Sequence, residues 1–427
     1  MPKEKKRVVP RLRFPEFRGA DPWEVRTIEE LSDKIAQGGT PTTSCPDYWN
    51  GDIPWITPAE MGDDAVHHYT ETTLRTISTE GLRNSSAEVL PVNSVIISSR
   101  APIGYVTVNK IPMATNQGCK GIVPKKCVYH EFLYFSLLNA KSRLHDLGAG
   151  AGFKEISATT LKTFSISVPK YPEQQKIADC LSSLDEVIEL EAKRFEALKA
   201  HKKGLLQQLF PREGETAPRL RFPEFHDAGP WEVKKIEDFF EVRSSKRVLE
   251  RDWKAEGVPF YRTRELVALR NNEPFNSKVF ISEEQYDELA REYGIPKEGD
   301  FLVSGVGTLG IAYQVKAGDK FYFKDGNVLW FKNKGAIIPS FFLYCFESSH
   351  IQNQIIGQAS ISTVGTYTIQ DAKKTRFACP PVESEQQKIA DCLSSLDEVI
   401  ALQAQKLEAL KAHKKGLMQQ LFPQEVG

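Results

Sequence analysis

The sequence predicts an α+β protein in which two mixed α/β domains are each followed by a long helix, and in which the two helices pair as a coiled coil. Three observations support this fold class: two nearly identical long segments, a heptad pattern inside both of them, and two unlike domains with β-type runs beside the repeats. A chain of 427 residues is too long for one ordinary hydrophobic core, which agrees with several domains.

The chain contains two kinds of internal repeat. Residues 173–211 and 385–423 differ at six of 39 positions, namely Glu189/Ala401, Glu191/Gln403, Lys193/Gln405, Arg194/Lys406, Phe195/Leu407 and Leu206/Met418. An opening segment, PRLRFPEFRGADPWEV at 10–25, returns at 218–233 with 13 of 16 positions identical. The repeats divide the chain into a first domain at 1–172, a first helix at 173–211, a polar linker at 212–217, a second domain at 218–384, and a second helix with its tail at 385–427.

Both long repeats have the apolar spacing of a coiled-coil helix. Apolar residues recur at steps of four and three, so that a heptad a/d seam is apolar at eight of its ten positions in each copy. The polar seam residues are Glu191 and Lys202 in the first copy and Gln403 and Lys414 in the second; such positions commonly determine register. A helix of about 37 residues is roughly 55 Å long. A single narrow seam of that length predicts one partner, the other copy.

The surfaces of the two helices outside the seam also match. The recurring polar residues, predicted to dock a partner, are Glu186, Glu196, Lys199, His201 and Gln208 in the first copy and Glu398, Glu408, Lys411, His413 and Gln420 in the second. Identical outward surfaces predict two identical partner molecules, one on each copy. Recent duplication is the alternative explanation, but it should also have left the intervening domains alike, and they are not.

Charge and cysteine content limit the class of protein. The 56 basic and 56 acidic residues balance, and they balance again within 10–172, with 17 of each, and within 218–384, with 23 of each. Neither domain is therefore a general polyanion binder. Seven cysteines without a C-x-x-C spacing favour a reducing cytoplasm, and no apolar stretch approaches the length of a membrane span.

The common signatures of enzymes and cofactor sites are missing. The segment Gly305–Gly310 matches G-x-G-x-x-G, but the β-type residues that follow it exclude the helix that a nucleotide site requires. No P-loop occurs, and no N-P-P-[YF] or D-P-P-[YF] tetrapeptide of an amino-methylating enzyme. His67 and His68 have no partner at metal-ligand spacing and are interpreted as surface residues. We therefore expect no catalytic residue, no metal site and no cofactor bound by this chain.

Polar loops in the two domains are candidate binding segments, and they would supply the contacts if these domains bind DNA. Domains of balanced charge that bind DNA must place a few cations on one side and read base edges with Arg, Asn, Gln, Ser and Thr. The segments 40–44 and 48–55 are predicted to be loop-like, and 324–327 is matched to the turn at 116–118. For any single residue here, a solvated loop position is the alternative interpretation. The candidates are Thr40, Thr42, Thr43, Ser44, Tyr48, Asn50, Arg100, Asn116, Gln117 and Lys120 in the first domain and Lys246, Arg247, Arg262, Arg264, Lys324 and Asn327 in the second.

Taken together, these features resemble the specificity subunit of type I restriction-modification systems. The similarity covers almost the whole chain and lies mainly in two variable domains that are each followed by a nearly identical helix beginning EQQKIA. Weaker individual matches are GTPT at 39–42, GDIPWIT at 51–57, SRAPIG at 99–104, NQG at 116–118, and RFPEF at 13–17 with Trp23. The second domain departs more, with Val306 where the first has Arg100.

The resemblance implies a non-catalytic monomer with pseudo-twofold symmetry, in which the helices pack antiparallel with one target-recognition domain at each end. Each domain would read one half of a bipartite, asymmetric site in double-stranded DNA. The expected partners are two methyltransferase subunits that bring S-adenosylmethionine and, for cleavage, two restriction/translocase subunits that use ATP and Mg²⁺. A fused twofold unit suits half-sites about 34–36 Å apart, close to one helical turn. The alternative is a coiled-coil scaffold whose β-rich domains bind proteins or glycans.

Overall fold

The computed structural model describes residues 7–62, 69–100, 102–147, 155–270, 273, 278–359 and 365–423. It divides into two compact units, the first made of residues 1–194 and 403–427 and the second of residues 195–402. His67 and His68 lie outside the described residues. Within the described residues, no helix combines the length and the apolar character that crossing a membrane requires.

The first unit combines short strands with helices. Its strands are β1 (Arg7–Val8), β2 (Trp23–Thr27), β3 (Ser32–Gln37), β4 (Trp49–Ile56), β5 (Tyr69–Thr70), β6 (Arg75–Ile77), β7 (Val95–Ser98), β8 (Val106–Asn109), β9 (Ala114–Thr115), β10 (Cys119–Pro124) and β11 (Ser165–Val168). Its helices are α1 (Ile28–Leu31), α2 (Thr79–Arg83), α3 (His130–Asn139), α4 (Lys141–Leu147), α5 (Ala158–Thr163) and the first half of α6 (Tyr171–Leu209). The strands form three sheets, in the orders β1-β2-β11, β3-β10-β7-β8-β5 and β6-β4-β9.

The second unit repeats this plan with unlike side chains. Its strands are β12 (Glu232–Lys235), β13 (Phe240–Arg243), β14 (Val258–Tyr261), β15 (Phe280–Ile281), β16 (Phe301–Ser304), β17 (Ala312–Gln314), β18 (Tyr322–Phe323), β19 (Val328–Asn333) and β20 (Arg376–Cys379). Its helices are α7 (Ile236–Phe239), α8 (Thr263–Arg270), α9 (Glu283–Tyr293), α10 (Pro339–Glu347), α11 (Ser349–Ala359), α12 (Ile369–Lys374) and the first half of α13 (Glu383–Leu421). The sheets β12-β20, β13-β19-β16-β17 and β15-β14-β18 correspond to β2-β11, β3-β10-β7-β8 and β6-β4-β9.

One local prediction is wrong. The segment 48–55, interpreted as loop-like because of its glycine, asparagine and proline, lies almost entirely in strand β4. β4 pairs antiparallel with β6 and parallel with β9, and its register with β6 shifts between Trp49 and Ile53. This irregularity accommodates the turn-type residues, since the residues between 49 and 53 leave the ladder without ending the strand.

The two repeated helices are both 39 residues long and pair antiparallel within each unit. In the first unit, Ile177 and Leu181 near the start of α6 share a hydrophobic core with Leu421 at the end of α13. In the second unit, the end of α6, including Leu209, shares a core with Ile389 and the neighbouring start of α13. The predicted a/d seam is confirmed, because every one of its positions is buried or half-buried.

The polar seam residues are paired inside each unit. In the first unit, Lys414 Nζ lies 2.5 Å from the carboxylate of Asp185. In the second unit, Lys202 Nζ lies 2.6 Å from Asp397, whose other oxygen accepts a 2.8 Å hydrogen bond from the hydroxyl of Tyr344. Each lysine therefore binds an aspartate of the other repeat, which favours one antiparallel register over its neighbours.

The opening repeats, at 10–25 and 218–233, bind the first glutamate of the long repeats, which explains why these residues are identical in the two units. Arg13 forms two hydrogen bonds of 2.7 Å to Glu173, and Trp23 Nε1 donates to the same carboxylate at 3.2 Å. In the second unit, Arg221 donates to Glu385 at 2.8 and 2.7 Å, and Trp231 Nε1 at 3.1 Å. The first glutamate of each EQQKIA segment is thus a buried carboxylate that receives an arginine and a tryptophan from the opening segment of its own unit.

The LFP ends of the repeats complete an aromatic cluster in each unit. In the first unit, the ring of Phe422 lies 6.3 Å from Trp23 and 5.6 Å from Phe132. In the second, the corresponding rings are Phe210, Trp231 and Phe341, at 6.2 and 5.6 Å. Much of the repeat identity therefore follows from packing inside the chain, since an edge-to-face Trp–Phe contact and a tilted Phe–Phe contact recur at both places.

Candidate nucleic-acid interface

The first-domain candidates between residues 40 and 50 gather beside Trp49. A short 3-10 turn at Pro46–Tyr48 leads directly into this tryptophan, whose Nε1 donates to the carbonyl oxygen of Thr42 at 3.3 Å. Asn50 has a positive φ of 60°, a conformation that asparagine tolerates better than most residues. Tyr48 and Thr40 are half-buried. The candidates of this segment that remain exposed are Thr42, Thr43, Ser44 and Asn50.

The turn at Asn116–Gly118 adjoins this segment. The hydroxyl of Thr40 donates to the side-chain oxygen of Gln117, which joins two candidates that are far apart in the chain. Asn116 uses its side-chain oxygen to accept a 2.6 Å hydrogen bond from the backbone of Gly118, so part of its role is to shape the turn. The crossing of the two segments is tight, because a Cβ atom on Gly38 would lie only 1.8 Å from the carbonyl oxygen of Asn116.

Arg100 and Lys120 are brought together by an acidic residue. Arg100 Nε lies 3.0 Å from Glu155, and its side chain is about half exposed, at 49%. Lys120 Nζ lies 3.6 Å from the same carboxylate and 3.2 Å from the carbonyl oxygen of Gln117, and its side chain is only 3% exposed. Burial lowers the pKa of Lys120. The prediction of Lys120 as a surface cation is therefore corrected, since its ammonium group is enclosed by the fold.

Two of the second-domain candidates lie beside Trp253. This tryptophan follows a 3-10 turn at Glu250–Asp252, as Trp49 follows its own turn. Arg262 and Lys324 each place their charge 5.7 Å from the Trp253 ring centre. Arg247 is 70% exposed and lies 3.4 Å from Asp325. The exposed Lys246 lies next to it in the chain, with Nζ 5.0 Å from the ring centre of Tyr293.

Two of the candidate arginines, Arg262 and Arg264, share one carboxylate. Arg262 donates to Glu265 through Nε at 3.1 Å and Nη2 at 2.7 Å, and Arg264 Nε donates to it at 2.6 Å. The Glu265 side chain is 2% exposed. Arg264 remains 62% exposed and Arg262 only 22%. Arg264 therefore keeps N–H donors that face solvent, whereas Arg262 mainly stabilises the start of α8 through its hydrogen bonds to Glu265.

The hairpins that follow β7 and β16 have the same hydrogen bonds in both domains. Ser98 Oγ donates to the carbonyl of Pro102 at 2.6 Å and accepts from the backbone of Tyr105 at 2.8 Å. Ser304 Oγ repeats both bonds, at 2.5 Å to Thr308 and 2.8 Å from Ile311. Residues 95–104 therefore correspond to residues 301–310, in agreement with the alignment of Arg100 with Val306. It also excludes a nucleotide loop, because the glycine-rich segment is a turn between strands.

The structural equivalence of the two domains reaches the predicted contact positions. The backbone of Ser99 donates to the carbonyl of Gly118 at 2.7 Å, and that of Gly305 donates to the carbonyl of Asn327 at 2.8 Å. The next residues, Arg100 and Val306, each form an isolated β-bridge, with Glu155 and with Thr366. The half-buried Asn327 thus occupies the place of Gly118 in the NQG turn. The same backbone site carries a cation in one domain and an apolar side chain in the other.

A family model for the "type I restriction modification DNA specificity domain" matches residues 20–200 and again 229–412. The chain belongs to this family. A specificity subunit of the type I restriction enzyme MjaIX from Methanocaldococcus jannaschii is 29% identical over 418 residues, which cover 93% of this chain and 92% of that protein. The EcoR124I/EcoR124II specificity subunit of Escherichia coli is 30% identical over 169 residues, 38% of this chain and 41% of that protein.

Solved structures of the specificity family have the same fold. The crystal structure of the S subunit of the M. genitalium type I restriction-modification system matches with a TM-score of 0.59 and 16% identity, and covers 98% of this chain and all of that one. A chain from a structural study of complex assembly and conformational transition of the type I R-M system matches with a TM-score of 0.58 and 15% identity, and covers 95% and 98%. These likenesses confirm the predicted fold class of two mixed α/β domains with two long helices.

Most of the residues on α6 and α13 that are predicted to bind a partner protein lie on the surface. Glu186, Glu196, His201 and their counterparts are exposed, as are Lys199 and Gln208. Lys411 is half-buried, with 39% of its side chain exposed. The backbone carbonyls of Gln208 and Gln420 accept hydrogen bonds of 2.9 and 3.0 Å from Leu220 and Leu12. The two helix ends thus present equivalent surfaces, and the docking role of these residues remains a prediction.

Sequence reasoning missed the cation that lies closest to Trp49. Arg75 on β6 places its guanidinium carbon 3.7 Å from the ring centre of Trp49 and 5.3 Å from that of Trp55. The available signal was weak, since Arg75 stands in an undistinguished TLRTIS segment. Only the pairing of β6 with β4 brings the two residues together.

The described part of this specificity-family chain contains no cluster of three or more His, Cys, Asp or Glu side chains that could hold a metal ion. All seven cysteines are free thiols. Burial raises the pKa of the thiols of Cys119 and Cys379 to about 12, so these two side chains behave as apolar core groups.

Proposed function

We propose that this chain is the DNA-specificity subunit of a type I restriction-modification complex, in which each variable domain reads one half of a bipartite, asymmetric site. One observation carries the proposal: the two domains share the same sheets and the same turn hydrogen bonds but differ in the side chains at equivalent positions, such as Arg100 and Val306. A shared backbone that carries different side chains at equivalent positions suits the reading of two different base sequences.

The repeated helix surfaces support two equivalent docking sites for methyltransferase subunits. Each site combines the same residues, including the pairs Lys199–Glu196 and Lys411–Glu408 at 3.1 and 2.9 Å. S-adenosylmethionine belongs to those partners, and ATP with Mg²⁺ belongs to two restriction/translocase subunits in the full complex, which acts in the cytoplasm against phage DNA. This chain supplies position and sequence preference, and the partners supply the chemistry.

The test is a domain exchange in the complex with its methyltransferase partner. Residues 26–172 are replaced by the first domain of another family member, and the methylated motif is mapped in DNA from cells that carry the complex. We expect one half of the motif to change and the other half to stay. A change in both halves contradicts the assignment of one half-site to each domain. A chain that binds no duplex DNA selectively, with or without its partner, supports a protein- or glycan-binding scaffold instead.

The purified chain provides a second test. Incubated alone with S-adenosylmethionine and target DNA, it should transfer no methyl groups, whereas the complex with the methyltransferase subunit should transfer them. Robust transfer by the chain alone contradicts the proposal.

A further inference from the structure

Arg75 is an exposed arginine whose orientation is determined by two tryptophans. Its guanidinium carbon lies 3.7 Å from the ring centre of Trp49, and the rings of Trp49 and Trp55 meet edge-to-face at 5.1 Å. Trp55 is 2% exposed and donates from Nε1 to the carbonyl of Gly39 at 2.9 Å. Trp55 and Arg75 are also direct partners in the β4–β6 ladder. The arginine therefore packs on a tryptophan that is itself held by burial and a hydrogen bond.

The charge of Arg75 is not neutralised within the described residues, where its side chain forms no ion pair or hydrogen bond. Neighbouring cations differ in this respect, since Arg100 and Lys120 share Glu155 and Lys34 pairs with Glu88. A guanidinium that stacks on an indole ring lies parallel to the ring. Its N–H donors point outward within the guanidinium plane, so they stay available to a ligand.

The second domain repeats this arrangement with other residues. Trp253, like Trp49, directly follows a 3-10 turn; Trp49 begins the central strand of its three-stranded sheet, and Trp253 precedes the central strand of the equivalent sheet. The charge of Lys324 lies 5.7 Å from its ring centre, and among the described residues Lys324 has no acidic partner. Arg262 also lies beside the ring, but it is bound to the carboxylate of Glu265. Each domain therefore keeps, among the described residues, a cation without an acidic partner beside an equivalent tryptophan.

We propose that Arg75 is a specificity-determining residue that reads a guanine in the half-site of the first domain, and that Trp49 positions it for this contact. Arginine binds the O6 and N7 atoms of guanine through two hydrogen bonds in the major groove. A guanidinium that is already oriented loses less conformational freedom when it binds. Lys324 supplies the corresponding cation in the second domain, where it acts as a point charge and does not form bidentate hydrogen bonds. This inference rests on the proposed function.

The experiment uses the complete complex with its methyltransferase subunits and compares Arg75→Ala and Arg75→Lys with the control Arg83→Ala. Arg83 is an exposed arginine of the same domain for which the structure shows no ring contact or ion pair among the described residues. Binding competition against cognate and unrelated duplexes is measured over a range of salt concentrations, and the methylated motif is mapped for each variant.

Both Arg75 variants should lose about 5- to 150-fold in affinity for the cognate duplex, the range of one two-pronged base contact. Binding to unrelated DNA should stay unchanged, and the methylated motif should relax at one position of one half-site. Arg83→Ala should behave as the wild type. Equal losses on both duplexes with a smaller salt slope identify a phosphate contact and overturn the proposal, as does an unchanged cognate affinity. A wild-type complex without sequence preference contradicts the proposed function itself.

Discussion

Gln403 donates a hydrogen bond of 2.6 Å from its side-chain amide to the carboxylate of Glu191, the residue that occupies the same position in the other repeat. A second bond of 3.0 Å reaches the Glu191 carbonyl, and Lys406 Nζ lies 2.5 Å from the carboxylate. These contacts lie within the first unit. They show that the middle of each repeat meets the middle of the other.

This meeting explains where the repeats differ. Five of their six differences fall at 189–195 and 401–407, around the Glu191–Gln403 contact. When two copies of one helix pair antiparallel, residues at the centre face their own counterparts, so identical charged residues there oppose each other. Glutamate in both copies would place two carboxylates in contact, whereas a glutamine in one copy provides a donor.

The first prediction concerns this central pair. Gln403→Glu should lower the stability to urea at neutral pH, because it replaces a donor with a second carboxylate. Glu191→Gln, which leaves two neutral amides, should cost less. The pKa of Glu191 is lowered, chiefly by its hydrogen bonds to Gln403 and Lys406, so its stabilising contribution is present above the unfolded-state pKa and is lost as the pH falls through the folded one. An equal loss of stability in the two variants contradicts this account.

The second prediction concerns the buried arginine of the opening repeat. Arg221→Ala should destabilise the second unit by about 3–5 kcal/mol, because it leaves the carboxylate of Glu385 buried without its cation. The side chains of Arg221 and Glu385 are 11% and 0% exposed. Urea unfolding measures the change, and Arg219→Ala, at an exposed neighbour, is the matched control. Arg13→Ala should have a similar effect in the first unit, and a loss no greater than that of the control shows that the pair does not stabilise the fold.

The third prediction concerns His130. Burial, assisted by Lys110, lowers its pKa to about 4. Between the unfolded pKa near 6.5 and pH 4, the unfolded chain binds the proton that the folded chain does not, so stability should fall by roughly 3 kcal/mol as the pH drops through this window. Urea unfolding from pH 7.5 to 4.5 should show this loss in the wild type and a smaller slope in His130→Gln. Identical slopes contradict the assignment.

The fourth prediction concerns the spacing of the half-sites. Seven residues inserted after Leu198 and seven after Ile400 lie at one level of the helix pair, between the contacts Glu191–Gln403 and Lys202–Asp397, and keep the heptad phase. The insertion adds about 10 Å of helix, which corresponds to about three base pairs at roughly 3.4 Å each. The original target should be lost, since one half-site also rotates by about a quarter turn.

Binding competition across targets whose spacers grow one base pair at a time measures this effect. The control carries the same seven residues in the polar linker at 212–217, outside both helices. Unchanged preference for the original spacer shows that the helices do not determine spacing.

The structure brings some of the predicted contact residues together, and their contacts with DNA stay predictions. Trp49 donates a hydrogen bond to Thr42, Thr40 contacts Gln117 of a distant segment, and Lys324 lies beside Trp253. Lys120 is enclosed beside Glu155, and Arg75 was not predicted at all. These outcomes depend on strand pairing and burial, which adjacent residues in the chain do not reveal.

The sequence by itself determined the repeats, the two domains, and the helix seam, because periodicity and identity are properties of residues that lie near one another in the chain. Only the tertiary structure decided that 49–56 is a strand, that Arg13 binds Glu173, and that Gln403 binds Glu191. The last two contacts join residues 160 and 212 positions apart. Such contacts form when distant segments are buried together, and a buried carboxylate is stable only where the fold brings a donor to it.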